Sequence, residues 1–327
     1  LLLSGTNSSW LGTLTVASGV VRVTNNEAIG GTVTVNATTG AALQLAGVTL
    51  AEPINLAGTG FDNTGALRAV SGANTISAAS TVTLTAAANI GADAGASLAI
   101  AGTLAGAQAL TFFGGGTISL TGSLGTGASS ITKFGNGRLL FTGTNSGFVG
   151  AITLNAGSLE LSNTGALGST GAITLNAGAS LFVDDSGTAL ANRLGSRAVS
   201  IVGGTIAYKA NGASNSSDTL GALTVNPGAA TLRISNAGSA QSLLTFSSLA
   251  SNVVANQGLL IFQSDVAFGT AQNQVKFTTA PTLTPASTGI IQRGVVIDPN
   301  GTNFATISNG SIAAFSYGSY ATNGGTV

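Results

Sequence analysis

The sequence of 327 residues contains no cysteine, no histidine and no methionine. Without cysteine there is no disulfide framework and no thiolate chemistry. Without histidine, the commonest general base and metal ligand is missing. We therefore expect no catalytic residue, no cofactor-binding residue and no metal ligand, and we predict that the chain is not an enzyme.

Charge is also scarce, since only 6% of the residues are charged, against about 25% in a typical protein. The ten acidic and ten basic residues cancel, so the chain lacks the basic footprint of a nucleic-acid-binding protein or a polybasic membrane patch. The mean hydropathy of +0.45 is high. However, no unbroken run of about 18 apolar residues occurs, and no membrane-spanning helix is predicted.

What the sequence does contain is a strand pattern repeated along its length. Aliphatic residues alternate with threonine and serine, as in a strand with one buried side. Strong helix formers are too rare to line exposed helix faces. The clearest strands are Thr13–Val16, Val33–Val35, Val82–Thr85, Ile118–Leu120, Ile152–Leu154 and Ile173–Leu175.

Short turn signals follow these strands. Asn155-Ala156-Gly157 and Asn176-Ala177-Gly178 each come directly after a Thr-aliphatic strand, and Asn and Gly tolerate the positive φ of a tight corner. A βαβ crossover needs a dozen or more residues for its helix, and this spacing leaves no room for one. The pattern predicts an all-β parallel β-solenoid, in which short strands lie at successive corners.

Direct alignment shows degenerate repeats, with clear copies at residues 1–45 and 133–183. At an offset of 138, Trp10 matches Phe148, and the aliphatic pairs of two successive strands match as well. Insertions fall at turns, as stacked rungs tolerate them. The chain begins with Leu1 rather than methionine and starts partway through a repeat, so we expect it to belong to a longer array.

The second copy resembles the autotransporter-associated β-strand repeat, also called the passenger-associated transport repeat. Lys133-Phe134-Gly135-Asn136-Gly137-Arg138-Leu139 supplies the first part of the motif, and Gly143 to Gly150 and Ile152 to Leu161 supply the rest. The wider layout is similar to very large repeat proteins of environmental bacteria. The resemblance implies a right-handed parallel β-helix, secretion and display at the cell surface, with no shared catalytic residues.

The organisation follows from these patterns. We expect a solenoid array over residues 1–279 and an irregular β segment or bend over 280–327 that leads into further repeats, since three of the five prolines fall at Pro281, Pro285 and Pro299. With about 20–25 residues per rung, as in other short-repeat solenoids, the chain would form roughly 13–16 rungs.

Carboxylates are the first candidates for a site, because β-solenoids also host glycan-cleaving enzymes, which need two carboxyl groups facing each other across a sugar. The only adjacent pair is Asp184-Asp185, whose side chains should point to opposite faces; we expect a solvated turn there, while a single bound ion at either residue stays open. The ten acids are Glu27, Glu52, Asp62, Asp93, Glu160, Asp184, Asp185, Asp218, Asp265 and Asp298.

Glycine runs and aromatic residues favour structural interpretations. Gly114-Gly115-Gly116 is followed neither by the aspartate of a calcium-binding solenoid nor by a phosphate-binding Gly-Lys-Ser/Thr, so we expect corner glycines. Trp10 and Phe148 could stack on carbohydrate, but we expect both to pack under a corner. In Phe112-Phe113 at least one ring should point inward.

Threonine rows such as Thr13/Thr15, Thr32/Thr34 and Thr81/Thr83/Thr85 could order water as on an ice-binding face. Because these rows are not separated by a constant rung length, we expect ordinary solvent-facing threonine.

The leading hypothesis is a structural or adhesive extracellular protein at the cell surface, acting as a stiff repeat spacer, stalk or filament. Its expected partners are like chains, which little charge would repel, or surface glycans. The alternative is a glycan-binding or glycan-cleaving β-helix protein, and an ice-binding module stays a further possibility.

Overall fold

The computed structural model of the protein describes residues 1–35, 40–125, 128–250, 258–286 and 289–316. Within these ranges the chain is nearly all β, with a single 3-10 turn at Phe61–Asn63. None of the described residues belongs to a helix that has both the length and the apolar character to span a membrane.

The strands are short and follow one another closely. In the first half they are β1 (Leu2–Leu3), β2 (Leu14–Val16), β3 (Val20–Val23), β4 (Val33–Val35), β5 (Ala42–Ala46), β6 (Thr49–Leu50), β7 (Ile54–Gly58), β8 (Leu67–Ser71), β9 (Ala73–Ile76), β10 (Thr81–Ala92), β11 (Ser97–Ile100), β12 (Thr103–Ala105), β13 (Ala109–Phe113), β14 (Thr117–Leu120), β15 (Ser130–Lys133), β16 (Arg138–Phe141), β17 (Thr144–Asn145) and β18 (Ala151–Leu154).

The second half continues in the same way and ends in longer strands. They are β19 (Ser158–Ser162), β20 (Ala166–Leu167), β21 (Ile173–Leu175), β22 (Ser180–Asp184), β23 (Val199–Ile201), β24 (Thr205–Ala210), β25 (Ser216–Leu220), β26 (Leu223–Val225), β27 (Ala229–Asn236), β28 (Ser242–Phe246), β29 (Leu259–Ser264), β30 (Asn273–Phe277), β31 (Leu283–Thr284), β32 (Ile290–Ile291), β33 (Gly294–Asp298), β34 (Gly301–Ser308) and β35 (Ser311–Ala314).

These strands form three faces, each made largely of parallel strands, and the chain passes from one face to the next. The first face contains β1, β3, β5, β8, the second half of β10, β13, β15, β18, β21, β23 and β26. The second face runs from β6 through β9, β11, β14, β16, β19, β22, β24, β27 and β29 to β33. The third face contains β2, β4, β7, the first half of β10 and β12. Farther along the same face, β17 pairs with β20, and β25, β28 and β30 pair in that order.

Neighbouring strands on each face are parallel, which confirms the predicted β-solenoid. On the first face Ile131 pairs with Ile152 and Ile152 with Ile173, so successive turns here use equal lengths of chain. The molecule makes about ten turns, so the expected 13–16 rungs were too many. One reason is that late rungs lengthen, since the step from Leu232 to its partner Phe262 takes a longer stretch of chain.

The core is a stack of aliphatic side chains, one layer per turn. Ile131, Ile152 and Ile173 lie directly above one another and are fully buried. The buried residues form one continuous hydrophobic cluster from Val16 to Ile312. Each buried methylene contributes about 0.8 kcal/mol, and because one rung cannot bury its own apolar side, the stacking of neighbours supplies the stability.

The two aligned repeat copies occupy different faces. Val21 in the first copy lies in β3 on the first face, whereas its match Leu159 lies in β19 on the second face. Both side chains are buried, so the inward pattern is kept. The motif therefore specifies a pair of strands and the corner between them, but it does not specify on which face of the solenoid they lie.

The C-terminal part departs from parallel stacking. β34 runs antiparallel to β33 and to β35, and Ser311 of β35 pairs antiparallel with Lys276 of β30. These strands join the second and third faces into one 16-stranded sheet. The irregular segment that we predict at 280–327 lies partly outside the described residues, at 287–288 and 317–327.

Candidate functional site

One outer surface stands out because it is regular and uncharged. Six consecutive rungs of the first face, β13, β15, β18, β21, β23 and β26, present uncharged side chains outward, and apart from Phe113 these are small or amide side chains. We call this surface the neutral face; it consists of Ala109, Thr111, Ser130, Thr132, Ala151, Thr153, Asn155, Ala172, Thr174, Asn176, Ala198, Ser200, Ala222 and Thr224.

A column of hydroxyl groups runs down the centre of the neutral face. Thr111 pairs with Thr132, Thr132 with Thr153 and Thr153 with Thr174, and the column continues through Ser200 to Thr224. The spacing within a parallel sheet sets neighbouring rungs about 4.8 Å apart. The four threonines recur at a constant interval in the sequence, a signal that was open to sequence reasoning and that we missed.

An asparagine ladder flanks this column at the corner. The side-chain nitrogen of Asn176 donates to the side-chain oxygen of Asn155 at 2.7 Å, one rung away. Farther along, the Asn226 side chain donates to the Ser200 hydroxyl at 2.8 Å. These side-chain hydrogen bonds connect adjacent rungs on the outer surface, in addition to the backbone hydrogen bonds between their strands.

The threonine rows considered in the sequence face outward, as expected, and they also align although their spacing in the sequence is unequal. On the third face Thr15 pairs with Thr34, Thr34 with Asn55, and Asn55 with Thr83. The unequal spacing in sequence is absorbed in the turns, so the rows are in register although the rung lengths differ. Asn55 and Pro53 interrupt the rows, and exposure ranges from half-buried to exposed.

The aromatic predictions hold for three residues and are wrong for Trp10. Phe112 is fully buried while Phe113 points outward, where its ring stacks on Phe134 at 5.2 Å. Phe148 is buried beneath the Arg197 guanidinium, which lies 5.3 Å from its ring. Trp10 is 43% exposed, because its indole rests on Gly12 beside the first rung rather than beneath a corner.

The glycine run forms corners, as predicted. Gly114 has φ of 107°, and a Cβ there would lie 1.9 Å from the Ala92 carbonyl oxygen of the preceding rung. Only glycine fits both the backbone angle and this close approach.

The second face carries charge, and two of its cations are paired with carboxylates. Arg138 bonds to Glu160 at 2.5 Å across neighbouring rungs, and Lys209 lies 3.8 Å from Asp184. The Arg138 side chain is 43% exposed and that of Lys209 is 45% exposed, so each pair contributes little to stability.

The interior holds three cationic residues that sequence reasoning did not anticipate. Lys133 is buried in the column between Phe112 and Leu154, and its ammonium donates to the carbonyls of Phe134 and Gly135 at 2.9 and 2.7 Å. Burial lowers the pKa of Lys133 to about 8. The lysine of the repeat motif thus donates hydrogen bonds to the carbonyl groups of its own corner.

Arg197 binds carbonyl oxygens of the two preceding rungs. It donates to Phe148 at 2.5 Å, to Gly150 at 2.7 Å and to Gly168 at 2.8 Å, with a longer bond to Gly171. Burial lowers the pKa of Arg197 to about 10, still well above neutrality. A single guanidinium therefore supplies donors to the corner carbonyls of Gly150 and Gly168, and it adds a second donor to the Phe148 carbonyl, which already accepts from the Gly168 amide.

Asp185 is wrongly predicted as a solvated turn residue. Its carboxylate is fully buried, where it pairs with the Arg193 side chain and accepts a hydrogen bond from Tyr208 at 2.8 Å. Asp184 points outward instead and bonds to Ser186, so the predicted opposite orientation of the two carboxylates is confirmed. Burial and the nearby Asp185 raise the pKa of Tyr208 above its ordinary range.

A second buried carboxylate, Asp218, belongs to the same cluster. Its Oδ1 accepts a bond from the backbone amide of Leu194 at 3.4 Å, whereas its Oδ2 has no hydrogen-bond partner among the described residues. Burial above all raises the pKa of Asp218 from 3.8 to about 7, and Asp185 acts in the same direction. No local signal in the sequence marks this residue as buried.

Within the described residues no three acidic side chains come together as a metal site. Grooves at Leu1, Leu2, Val20 and Arg22 and beside 280–286 contain no carboxylate. Glu160 and Asp184 are held in ion pairs and Asp185 and Asp218 are buried, so none of these four is free to face a sugar.

No protein-family model, no curated protein and no solved structure matches the chain.

Proposed function

We propose that the chain is part of a structural or adhesive protein displayed outside the cell, where it acts as a stiff repeat spacer. The observation that carries this proposal is the continuous stacking of parallel strands through about ten turns. With about 4.8 Å per turn, the coil extends roughly 50 Å along its axis. Length grows by adding rungs, so a parent array of this kind would reach far from its anchor.

The neutral face is our candidate for the adhesive contact. Its side chains carry no charge, so like chains or neutral surface glycans can approach it without electrostatic repulsion. Hydroxyl and amide groups at regular intervals suit a partner whose own polar groups repeat.

Size sets the strength expected of such a contact. Six rungs with three outward columns cover roughly 400–500 Å², about half of the 800 Å² that each partner buries in a standard interface. One neutral face would therefore bind weakly, and repetition along a longer array would supply avidity. We do not propose glycan cleavage, because the four paired or buried carboxylates described above do not form an acid–base couple.

Electron microscopy of the purified chain in negative stain tests the spacer role. We expect straight rods roughly 50 Å long for single chains, and longer or wider assemblies where chains join end to end or side by side. Compact globules without a long axis would contradict the proposal.

A further inference from the structure

The third face is interrupted between β22 and β23. Residues 191–196 form turns where a strand would continue the ladder. The segment still occupies the place of a rung: Leu167 donates to the Arg193 carbonyl at 2.7 Å on one side, and Ser196 donates to the Thr219 carbonyl at 3.0 Å on the other. We call residues 185–197 the bridging loop.

Side chains in the interior, rather than strand pairing, hold the bridging loop. Arg193 reaches inward to Asp185 and donates to the carbonyls of Gly165 and Thr188 at 2.8 and 2.7 Å. Asp218 projects from β25 and accepts the Leu194 amide at the centre of the loop. The loop therefore docks on a polar cluster that water does not reach, since these side chains are essentially unexposed.

The charges in this cluster do not balance. Two carboxylates, Asp185 and Asp218, face one guanidinium, that of Arg193. Arg193 bonds directly to Asp185 and Tyr208 donates to the same carboxylate, so Asp185 takes both of these donors. An ionised Asp218 would be a buried charge with an unpartnered oxygen, which is far less favourable than a neutral carboxyl group.

We propose that Asp218 binds a proton when the bridging loop is docked, and that loss of this proton opens the loop. The proton sits on Oδ2, the oxygen without a partner among the described residues, while Oδ1 keeps its bond to Leu194. The cluster is then neutral overall. This inference rests on the contacts of the cluster and would hold even if the chain had no adhesive role.

The groups that surround Asp218 set the direction of the effect. Asp185 from the end of β22 disfavours a second negative charge, and Arg193 from the loop favours it only partly, because it is committed to Asp185. Tyr208 from β24 donates its hydroxyl to Asp185. Lys209 points outward to Asp184. Burial is the largest contribution, and it raises the pKa of Asp218 to about 7.

The sign of the pH dependence follows. Because the docked state holds the proton up to about pH 7, and an exposed aspartate releases it near pH 4, docking is most favourable below pH 4. It weakens steadily as the pH rises to 7 and is constant above that. Between pH 5 and pH 8 the opening equilibrium should increase on the order of 100-fold.

Hydrogen exchange followed by mass spectrometry tests the proposal. After correction for the intrinsic pH dependence of exchange, peptides covering 189–197 should lose protection on the order of 100-fold between pH 5 and pH 8, while β18 and β19 keep theirs. Asp218→Asn, a neutral analogue of the protonated acid, should stay protected at both pH values. Asp184→Asn, next to the cluster but outward, is the matched control and should behave like the wild type.

A direct measurement keeps the proposal testable if Asp218→Asn does not fold. Carbon-13 NMR of the intact chain with labelled aspartate carboxyl groups should show one signal that titrates near pH 7, apart from the others. If all aspartates titrate below pH 5, or if loop protection does not change with pH in the wild type, the proposal is wrong.

Discussion

The guanidinium of Arg197 lies 5.3 Å from the centre of the Phe148 ring and donates at 2.5 Å to the carbonyl oxygen of the same residue, 49 positions earlier in the chain. Cation and aromatic ring are both buried, so their attraction is not screened by water. Arg197 thereby connects three successive rungs at a corner where strand pairing is absent.

Replacing Arg197 with methionine should destabilise the protein strongly. The change removes the side-chain donor of the Gly150 and Gly168 carbonyls, while the Phe148 carbonyl keeps its bond from the Gly168 amide; each orphaned buried group costs about 1–3 kcal/mol. We expect the free energy of unfolding to fall by about 3–5 kcal/mol, measured by chemical denaturation. Arg233→Met is the matched control, because Arg233 is exposed on β27; a similar loss in both variants would contradict this role.

Lys133 should make the stability depend on pH above neutrality. Burial lowers its pKa from 10.5 to about 8, so the folded state favours the neutral amine. The stability associated with this group is therefore complete above pH 10.5 and is lost as the pH falls through 8. Relative to Lys133→Met, the wild type should gain thermal stability between about pH 8 and pH 9.5.

The exposed residue Lys209 provides the comparison for this titration. Lys209→Met controls for the loss of a lysine as such and should leave the melting temperature at neutral pH nearly unchanged, since the Lys209 side chain is 45% exposed. A Lys133→Met variant whose profile parallels the wild type over this range would show that Lys133 is not desolvated.

The alternation of inward and outward side chains gives a third prediction. Ile152→Ala should reduce the free energy of unfolding by about 2–5 kcal/mol because it opens a cavity in a fully buried column. Thr153→Ala, one residue along, should change it by no more than about 0.5 kcal/mol. Equal effects at the two positions would contradict the orientation of β18.

Charge placed on the neutral face should prevent self-association. Thr132, Thr153 and Thr174 are stacked in register, so replacing all three with lysine puts like charges opposite one another in any face-to-face contact, which costs several kcal/mol. In sedimentation velocity we expect association to weaken more than about tenfold.

Three lysines on the second face, at Thr117, Ser158 and Thr205, give the same net charge at outward positions of β14, β19 and β24. They should leave association unchanged. If both triple variants associate alike, the contact lies elsewhere.

Sequence reasoning succeeded where side-chain period alone decides the outcome. The alternation at Ile152–Leu154 and Ile173–Leu175 specifies short strands with one buried side. The turns after them are too short for a crossover helix, so they favour a β-solenoid. The face on which each strand lies was not predictable, because insertions in turns shift a motif around the coil without changing its local pattern.

The buried polar cluster was not predictable for a different reason. Asp185 and Arg193 lie close together in the sequence, but Asp218 joins them only after another complete turn. Charged residues in a turn are usually exposed, and nothing in the local sequence distinguishes these from a solvated corner. Their burial depends on how the bridging loop replaces a strand on the third face.

The parallel register on the first face is the central claim, and paired cysteines test it directly because the chain has no cysteine of its own. Thr132→Cys with Thr153→Cys places two thiols on adjacent rungs, about 4.8 Å apart along the axis, within the range that a disulfide spans. Thr132→Cys with Thr174→Cys places them two rungs apart, beyond that range. Rapid oxidation to an intramolecular disulfide in the first pair and none in the second is the predicted result; the reverse, or equal reaction in both, would contradict the stacked coil.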